Sequence, residues 1–172
     1  MMKIVKSKNN YNSGVTMVEL LIYIGLLTLF LTVLTTLFVS IFKLQLTTQS
    51  TSSLTQDTRF IIARMGYDIE NAKNISVPSA LGQTTNSLTF TDSGDHALIY
   101  ELDGDNLTLN GTPINGLDTS ISSITFQKIG TQPPASATPP PPTIQVKFTI
   151  NSNIIEESGP RSQDIQTTYG LR

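Results

Sequence analysis

Glu19 is the residue whose type and position have the sharpest chemical consequence. It is the only ionisable group in the apolar part of the N-terminal segment, directly before residues 20–42, a stretch of 23 without a charge. A carboxylate at the centre of a membrane helix costs about 2.5–3.5 kcal/mol on insertion scales, and such groups mark function; near a wet interface the cost is small. A cation beside it in low dielectric makes it tolerable. Other reactive side chains are sparse. Asp92, Asp95, Asp103 and Asp105 gather in two turns, but their spacing departs from the D-x-[DN]-x-[DN]-G calcium loop, and turn chemistry accounts for them. The single histidine, His96, has no Ser, Cys or ligand context, so it reads as flanking a turn. There is no cysteine, which excludes disulfides and thiolate metal sites. With no glycine-rich phosphate loop and no paired catalytic carboxylates, the residues give no basis for an enzyme, a metal or a cofactor.

The element that must position Glu19 is the run that follows. Sixteen of residues 20–42 are Leu, Ile, Val or Phe. As a helix they extend roughly 34 Å, against a hydrocarbon core of about 30 Å. Each contributes about 0.3–0.6 kcal/mol to insertion at mid-helix, together on the order of 5–10 kcal/mol. Thr28, Thr32, Thr35, Thr36 and Ser40 reduce this only modestly, because a helical hydroxyl can bond back to a carbonyl. Lys3, Lys6 and Lys8 precede the run and only Lys43 follows it closely. The expected orientation is N-terminus cytoplasmic and the bulk of the chain extracytoplasmic.

A secretory signal carries small residues and a cleavage site after a shorter apolar region. Here the small residues, Ser13-Gly14, come before a long one, followed by Val15-Thr16-Met17-Val18-Glu19-Leu20-Leu21. This stretch resembles the processing motif of the type IV pilin and type II secretion pseudopilin superfamily: Gly, an apolar residue, Thr, two apolar residues, Glu, then Leu-Leu. The family more often has Phe where this chain has Val15. The resemblance implies that prepilin peptidase removes residues 1–14 as a leader, cutting after Gly14, and methylates the new amine of Val15. Gly14, lacking a side chain, would let the backbone enter a tight cleft. The resemblance also implies that Glu19 serves assembly, with the Val15 amine of a neighbouring subunit meeting its carboxylate. The membrane and filament-core helix would be residues 15–42, with Leu20, Leu21, Ile24, Leu27, Phe30, Leu34, Phe38 and Phe42 along it.

The rest reads as an extracytoplasmic domain over residues 43–172. Leu54, Thr58, Ile61, Ile62, Met65, Ile69 and Ala72 form an apolar stripe at helical spacing, predicting helix over 43–73 with Arg59, Arg64, Asp68, Glu70 and Lys73 mostly on other faces. Residues 47–53, rich in Thr and Ser, are a weak point in that helix. Residues 74–86 read as a loop, broken by Pro78 and Gly82. A β-rich part follows over 87–172, with short strands expected at 87–91, 97–102, 106–110, 120–129, 143–151 and 163–169. Asp103-Gly104-Asp105 marks a hairpin turn. Residues 131–142 hold six prolines in twelve, which bars them from a ladder and predicts an exposed polyproline-like loop. The fold class is therefore α+β, pilin-like: a long N-terminal helix, half membrane-spanning and half amphipathic, on a small antiparallel sheet. The order of elements, with Arg64 to Ala72 and Tyr100-Glu101-Leu102, looks like the minor pseudopilins of the J type and related minor pilins. The chain has neither a proline in the apolar helix nor a cysteine loop, features of many major pilins.

The partners implied by the resemblance are prepilin peptidase, other pilin or pseudopilin subunits, an inner-membrane assembly platform, and the lipid bilayer before assembly. Without residues 1–14 the chain keeps 8 basic and 13 acidic side chains, a net charge of about −5, which disfavours nucleic acid. Two other readings stay open at this level: a tip-located subunit that binds DNA, a surface or a secreted protein, and an uncleaved signal-anchored membrane protein.

Overall fold

The structure, a computed structural model, describes residues 14–130, 141–156 and 159–171. The expected leader, apart from Gly14, and most of the proline-rich stretch lie outside the described residues. The chain divides into two compact units, one up to Phe42 and one from Lys43 onward. A single helix, α1 (Met17–Glu70), contributes to both.

The helix is uninterrupted because nothing in its sequence breaks it. Its first proline comes only at Pro78. The stretch expected to be weak, 47–53, stays helical. There Thr48 donates to the Leu44 carbonyl and Thr51 to the Thr47 carbonyl, each at 2.9 Å, so the hydroxyls serve the helix rather than competing with it. Leu54, Thr58, Ile61, Met65 and Ile69 are buried, as their spacing predicts. Each large apolar side chain among them contributes about 1.5–3 kcal/mol on burial.

The helix ends two to three residues earlier than expected. Asn71 closes it: its Nδ2 and its backbone N–H both reach the Tyr67 carbonyl, at 2.7 and 3.2 Å. Ala72, read as the last residue of the stripe, opens a strand instead, β1 (Ala72–Val77). Residues 74–86 are therefore not one loop. β1 occupies the first part, pairing antiparallel with β3 (Leu88–Asp92), and Ile75 lies opposite Phe90. The loop runs only from Pro78, and β2 (Thr84–Thr85) ends it by pairing with β7 (Thr119–Ile129). Pro78 and Gly82 lie in the loop, but the β-branched Ile75 and Val77 fit a pleated edge and carry the strand through to residue 77.

The remaining strands are β4 (Ala97–Asp103), β5 (Asn106–Leu109), β6 (Thr112–Pro113), β8 (Thr143–Ser152) and β9 (Ser162–Gly170). They form two antiparallel sheets, a five-stranded one in the order β1-β3-β4-β5-β6 and a four-stranded one in the order β2-β7-β8-β9. This is the expected α+β class, with two sheets in place of one. The hairpin at Asp103-Gly104-Asp105 is present, with Asp103 opposite Asn106. Gly104 has φ +59°, a conformation glycine adopts without steric cost.

Alternation sets the core. In β8, Ile144, Val146, Phe148 and Ile150 all face inward and are buried. In β7 the mixed spacing of Ile121, Ile124 and Phe126 has a physical cause. The register shifts between Ile121 and Ser123, and this bulge inserts one residue so that all three side chains point to the core. Ile129 stays partly exposed at the strand end. Phe90 and Tyr100 stack across β3 and β4, with centroids 6.2 Å apart.

Candidate functional site

The N-terminal site is built by the first turn of α1. Thr16 caps it: the Glu19 backbone N–H donates to Thr16 Oγ1 at 3.2 Å. The Thr16-Met17-Val18-Glu19 order is the S/T-x-x-E pattern of a capping box, a signal for this cap that the sequence itself carries. Glu19 stands in the first turn, where the helix dipole favours negative charge. Its Oε1 accepts from Tyr23 Oη at 3.1 Å, one turn along. Gly14 and Val15 precede the cap and are exposed. The expected processing and assembly residues, Gly14, Val15 and Glu19, therefore fall within one turn of the helix start, with the Thr16 cap between them.

From Leu20 to Phe42 the helix carries no charge and is mostly apolar on every side. Leu20, Leu21, Ile24, Leu27, Phe30, Leu34, Phe38 and Phe42 are all exposed. α1 is long and apolar enough to cross a bilayer, and none of its most apolar window is buried by the rest of the chain. The hydroxyls within it bond back four residues, as expected: Thr28 to the Ile24 carbonyl, Thr32 to Thr28 and Thr35 to Leu31 at 2.8 Å, and Thr36 to Thr32 and Ser40 to Thr36 at 2.9 Å. Each polar group is satisfied within its own helix, the arrangement hydrocarbon requires.

In the unit from Lys43 onward the sequence reading misplaced one acid. Asp68 is not on an outer face; it is buried. Tyr100 Oη donates to Asp68 Oδ2 at 2.6 Å, and Arg64 Nε donates to the same oxygen at 2.8 Å. Burial, and then the Asp68 hydrogen bond, push the Tyr100 phenol far above its ordinary range. The Asp68 hydrogen bond and charge raise Arg64. The geometry places Arg64, Asp68 and Tyr100 together and makes them a structural clamp between helix and sheet. Helical spacing puts Asp68 on the buried arc, three residues after Met65 and seven after Ile61; its charge is what reads as outward, since such a position is usually closed to an acid unless paired.

Asp57 holds a second junction, accepting from the Gly116 backbone N–H at 2.8 Å and from Thr119 Oγ1 at 2.5 Å. The turn acids act as such. Asp92 Oδ1 accepts from the Gly94 and His96 backbone N–H groups, at 2.8 and 2.9 Å, and these bonds, with the His96 amide foremost, hold its carboxyl below the usual range. Asp95 pairs with Lys73 at 2.6 Å. Among the described residues no three His, Cys, Asp or Glu side chains converge as metal ligands.

No family model, no curated protein and no solved structure matches this chain. What stands is a long apolar N-terminal helix continuing into a helix packed on antiparallel sheets, a plan compatible with pilin-like architecture.

Proposed function

We propose that the chain is a structural, non-enzymatic subunit of a type IV pilus or type II secretion-like pseudopilus, of the minor class. On this reading prepilin peptidase removes residues 1–14, and the subunit waits in the bilayer with its β-rich part outside. An assembly platform then moves it into a filament among related subunits. One observation carries the proposal: Gly14, the Thr16 cap and Glu19 stand within a turn at the head of an exposed, uncharged helical stretch over residues 20–42.

The physics of that turn supports an assembly role. A cut after Gly14 leaves only Val15 and Thr16 ahead of the helix. The new amine would then be a cation at the positive end of the helix dipole, an unfavourable place for it. A carboxylate from a neighbouring subunit relieves the conflict, and Glu19 is the group available. Once in a filament, the apolar faces exchange lipid for other helices at little cost, because association in lipid depends on packing and on polar pairs rather than on a hydrophobic gain.

The decisive experiment is the mass of the N-terminal peptide after co-expression with a prepilin peptidase. A chain beginning at methylated Val15 supports the proposal. A chain still beginning at Met1 makes it a signal-anchored protein and overturns it.

A further inference from the structure

Two structural demands meet at Asn115 and Gly116, in the short link between β6 and β7. Gly116 answers a close approach: its backbone N–H donates to Asp57 Oδ2 at 2.8 Å, and a Cβ there would stand 2.9 Å from that same oxygen. Asn115 answers a need for a short side chain that both accepts and donates. Its Oδ1 accepts from the Leu107 N–H at 2.9 Å, and its Nδ2 donates to the Thr119 carbonyl at 2.9 Å and to Asn106 Oδ1 at 3.1 Å. The fold therefore selects an Asn-Gly pair, the dipeptide most prone to cyclise, because a residue without Cβ lets its nitrogen reach the preceding side chain. In that reaction the glycine N–H loses its proton and the nitrogen attacks the asparagine Cγ. A C–N bond forms, the bond from Cγ to Nδ2 breaks, and the side-chain nitrogen leaves as ammonia, taking up the proton. Water then opens the five-membered imide at either carbonyl, leaving aspartate or isoaspartate. Water is the one reagent consumed.

We infer that Asn115 is a latent deamidation site, kept intact in the folded chain by the contact of Asp57 with Gly116. The carboxylate binds the proton that must leave, and its negative charge disfavours an anion on the nitrogen beside it. The leaving group is tied as well, since Nδ2 must give up both of its acceptors before it can depart. The residue that makes glycine necessary at 116 is thus the residue that restrains the reaction glycine permits. Conversion does not reverse. A carboxylate at 115 cannot donate to the Thr119 carbonyl or to Asn106, and it adds a like charge near Asp57. Any lasting opening between α1 and this link is therefore recorded as a permanent change in the main chain. Asn110-Gly111 supplies a contrast. There a Cβ on the glycine would meet nothing within 4 Å, and φ of +77° at the β5–β6 turn is what favours glycine.

The test follows the full chain in detergent, incubated in mildly alkaline buffer, by peptide mapping that separates asparagine, aspartate and isoaspartate. In denaturing urea Asn115 and Asn110 should convert at comparable rates, which sets the unprotected reference. In the folded chain Asn115 should convert slower by about tenfold or more, the ratio set by a local opening free energy of about 1.4 kcal/mol. Asp57→Ala, folded by circular dichroism, should bring Asn115 close to the reference. Thr119→Ala removes the other hydrogen bond of Asp57, leaves the Gly116 bond in place, and should keep conversion slow. Equal rates in folded and denatured wild type overturn the inference. So does a folded Asp57→Ala that converts no faster than wild type, or equal acceleration in the two variants. Amide exchange at Gly116 in the unaltered chain reads the same proton without any substitution. Slow exchange there supports the protection, and exchange at the rate of an open loop overturns it, even where Asp57→Ala does not fold.

Discussion

The ring of Tyr169 occupies the space that a side chain on Gly66 would need: Tyr169 Cε1 is 2.9 Å from where a Cβ would stand. The ring cannot easily retreat, because Tyr169 Oη donates to the Ile62 carbonyl at 2.8 Å. A missing methyl on α1 thus seats the end of β9 on the helix. Gly66→Ala gains about 1 kcal/mol of helix propensity but overpacks this contact at a cost of about 1–3 kcal/mol. The expected net effect is a lower unfolding midpoint for the chain in detergent. Tyr169→Ala in the Gly66→Ala background should remove the clash, so the two substitutions should be non-additive. Additive losses would count against the contact.

Asp68 and Tyr100 stand or fall together. Tyr100→Phe leaves a buried carboxylate with Arg64 as its remaining side-chain partner and should destabilise by about 1–3 kcal/mol. Asp68→Ala strands a buried phenol and frees a guanidinium that is already 45% exposed and can rehydrate. Its loss should be of the same order, plus the cavity left by the carboxylate. Denaturant unfolding of both single variants and the double variant measures the coupling. A coupling near zero would remove the clamp.

Alkaline pH should reveal the same clamp. Tyr100 has its phenol raised by burial and by Asp68, and Tyr169 is raised by burial. A raised folded value means full stability below the unfolded tyrosine value of about 10, and loss as pH climbs above it. While a tyrosine stays protonated in the folded chain, each pH unit above that value costs about 1.4 kcal/mol. Unfolding midpoints measured upward from neutrality should be flat until about pH 10 and then fall, with a shallower fall in Tyr100→Phe. An unchanged slope in that variant contradicts the assignment.

Removing the Thr16 cap should act locally. Thr16→Ala deletes the acceptor for the Glu19 amide and costs about 1 kcal/mol of helix start. Amide exchange at Glu19 and Leu20, whose N–H groups meet Thr16, should quicken about fivefold, the equivalent of that energy, with exchange past Leu27 unchanged. Equal exchange in the two proteins would show that Thr16 is not the cap.

Glu19→Ala separates processing from assembly. Cleavage after Gly14 should persist, since Glu19 lies five residues past the cut, while recovery of the variant in sheared filaments should drop severely. Filament incorporation at the wild-type level would remove the role assigned to Glu19.

Much of the fold was legible because periodicity reports it directly. The stripe through Leu54, Ile61, Met65 and Ile69 and the alternation of β8 need only local spacing. Where a tertiary partner decided the outcome, local spacing failed. Ala72 fits a helix by spacing but pairs with Asp92 across a sheet, and Asp68, on the buried arc by spacing, reads as solvent-facing by its charge until Tyr100 arrives from 32 residues away. In β7 the extra residue at Ser122 scrambled the alternation, and only the pairing with β8 displays it. At the N-terminal site the motif residues are all visible in the sequence, and the Thr16 cap is readable from its order with Glu19 as a capping box.

The five inward-turned hydroxyls between Thr28 and Ser40 have a consequence for how much information that stretch of chain carries. Since each donates its proton to its own backbone, only hydroxyl oxygens are left as acceptors, and the rod presents a nearly uniform coat of hydrocarbon around its circumference. Such a coat is interchangeable: many other greasy sequences would serve, and swapping a threonine there for valine should pass almost unnoticed. Whatever sets this polypeptide apart from other apolar rods is then to be sought at its two extremities, in the first turn and in the folded head.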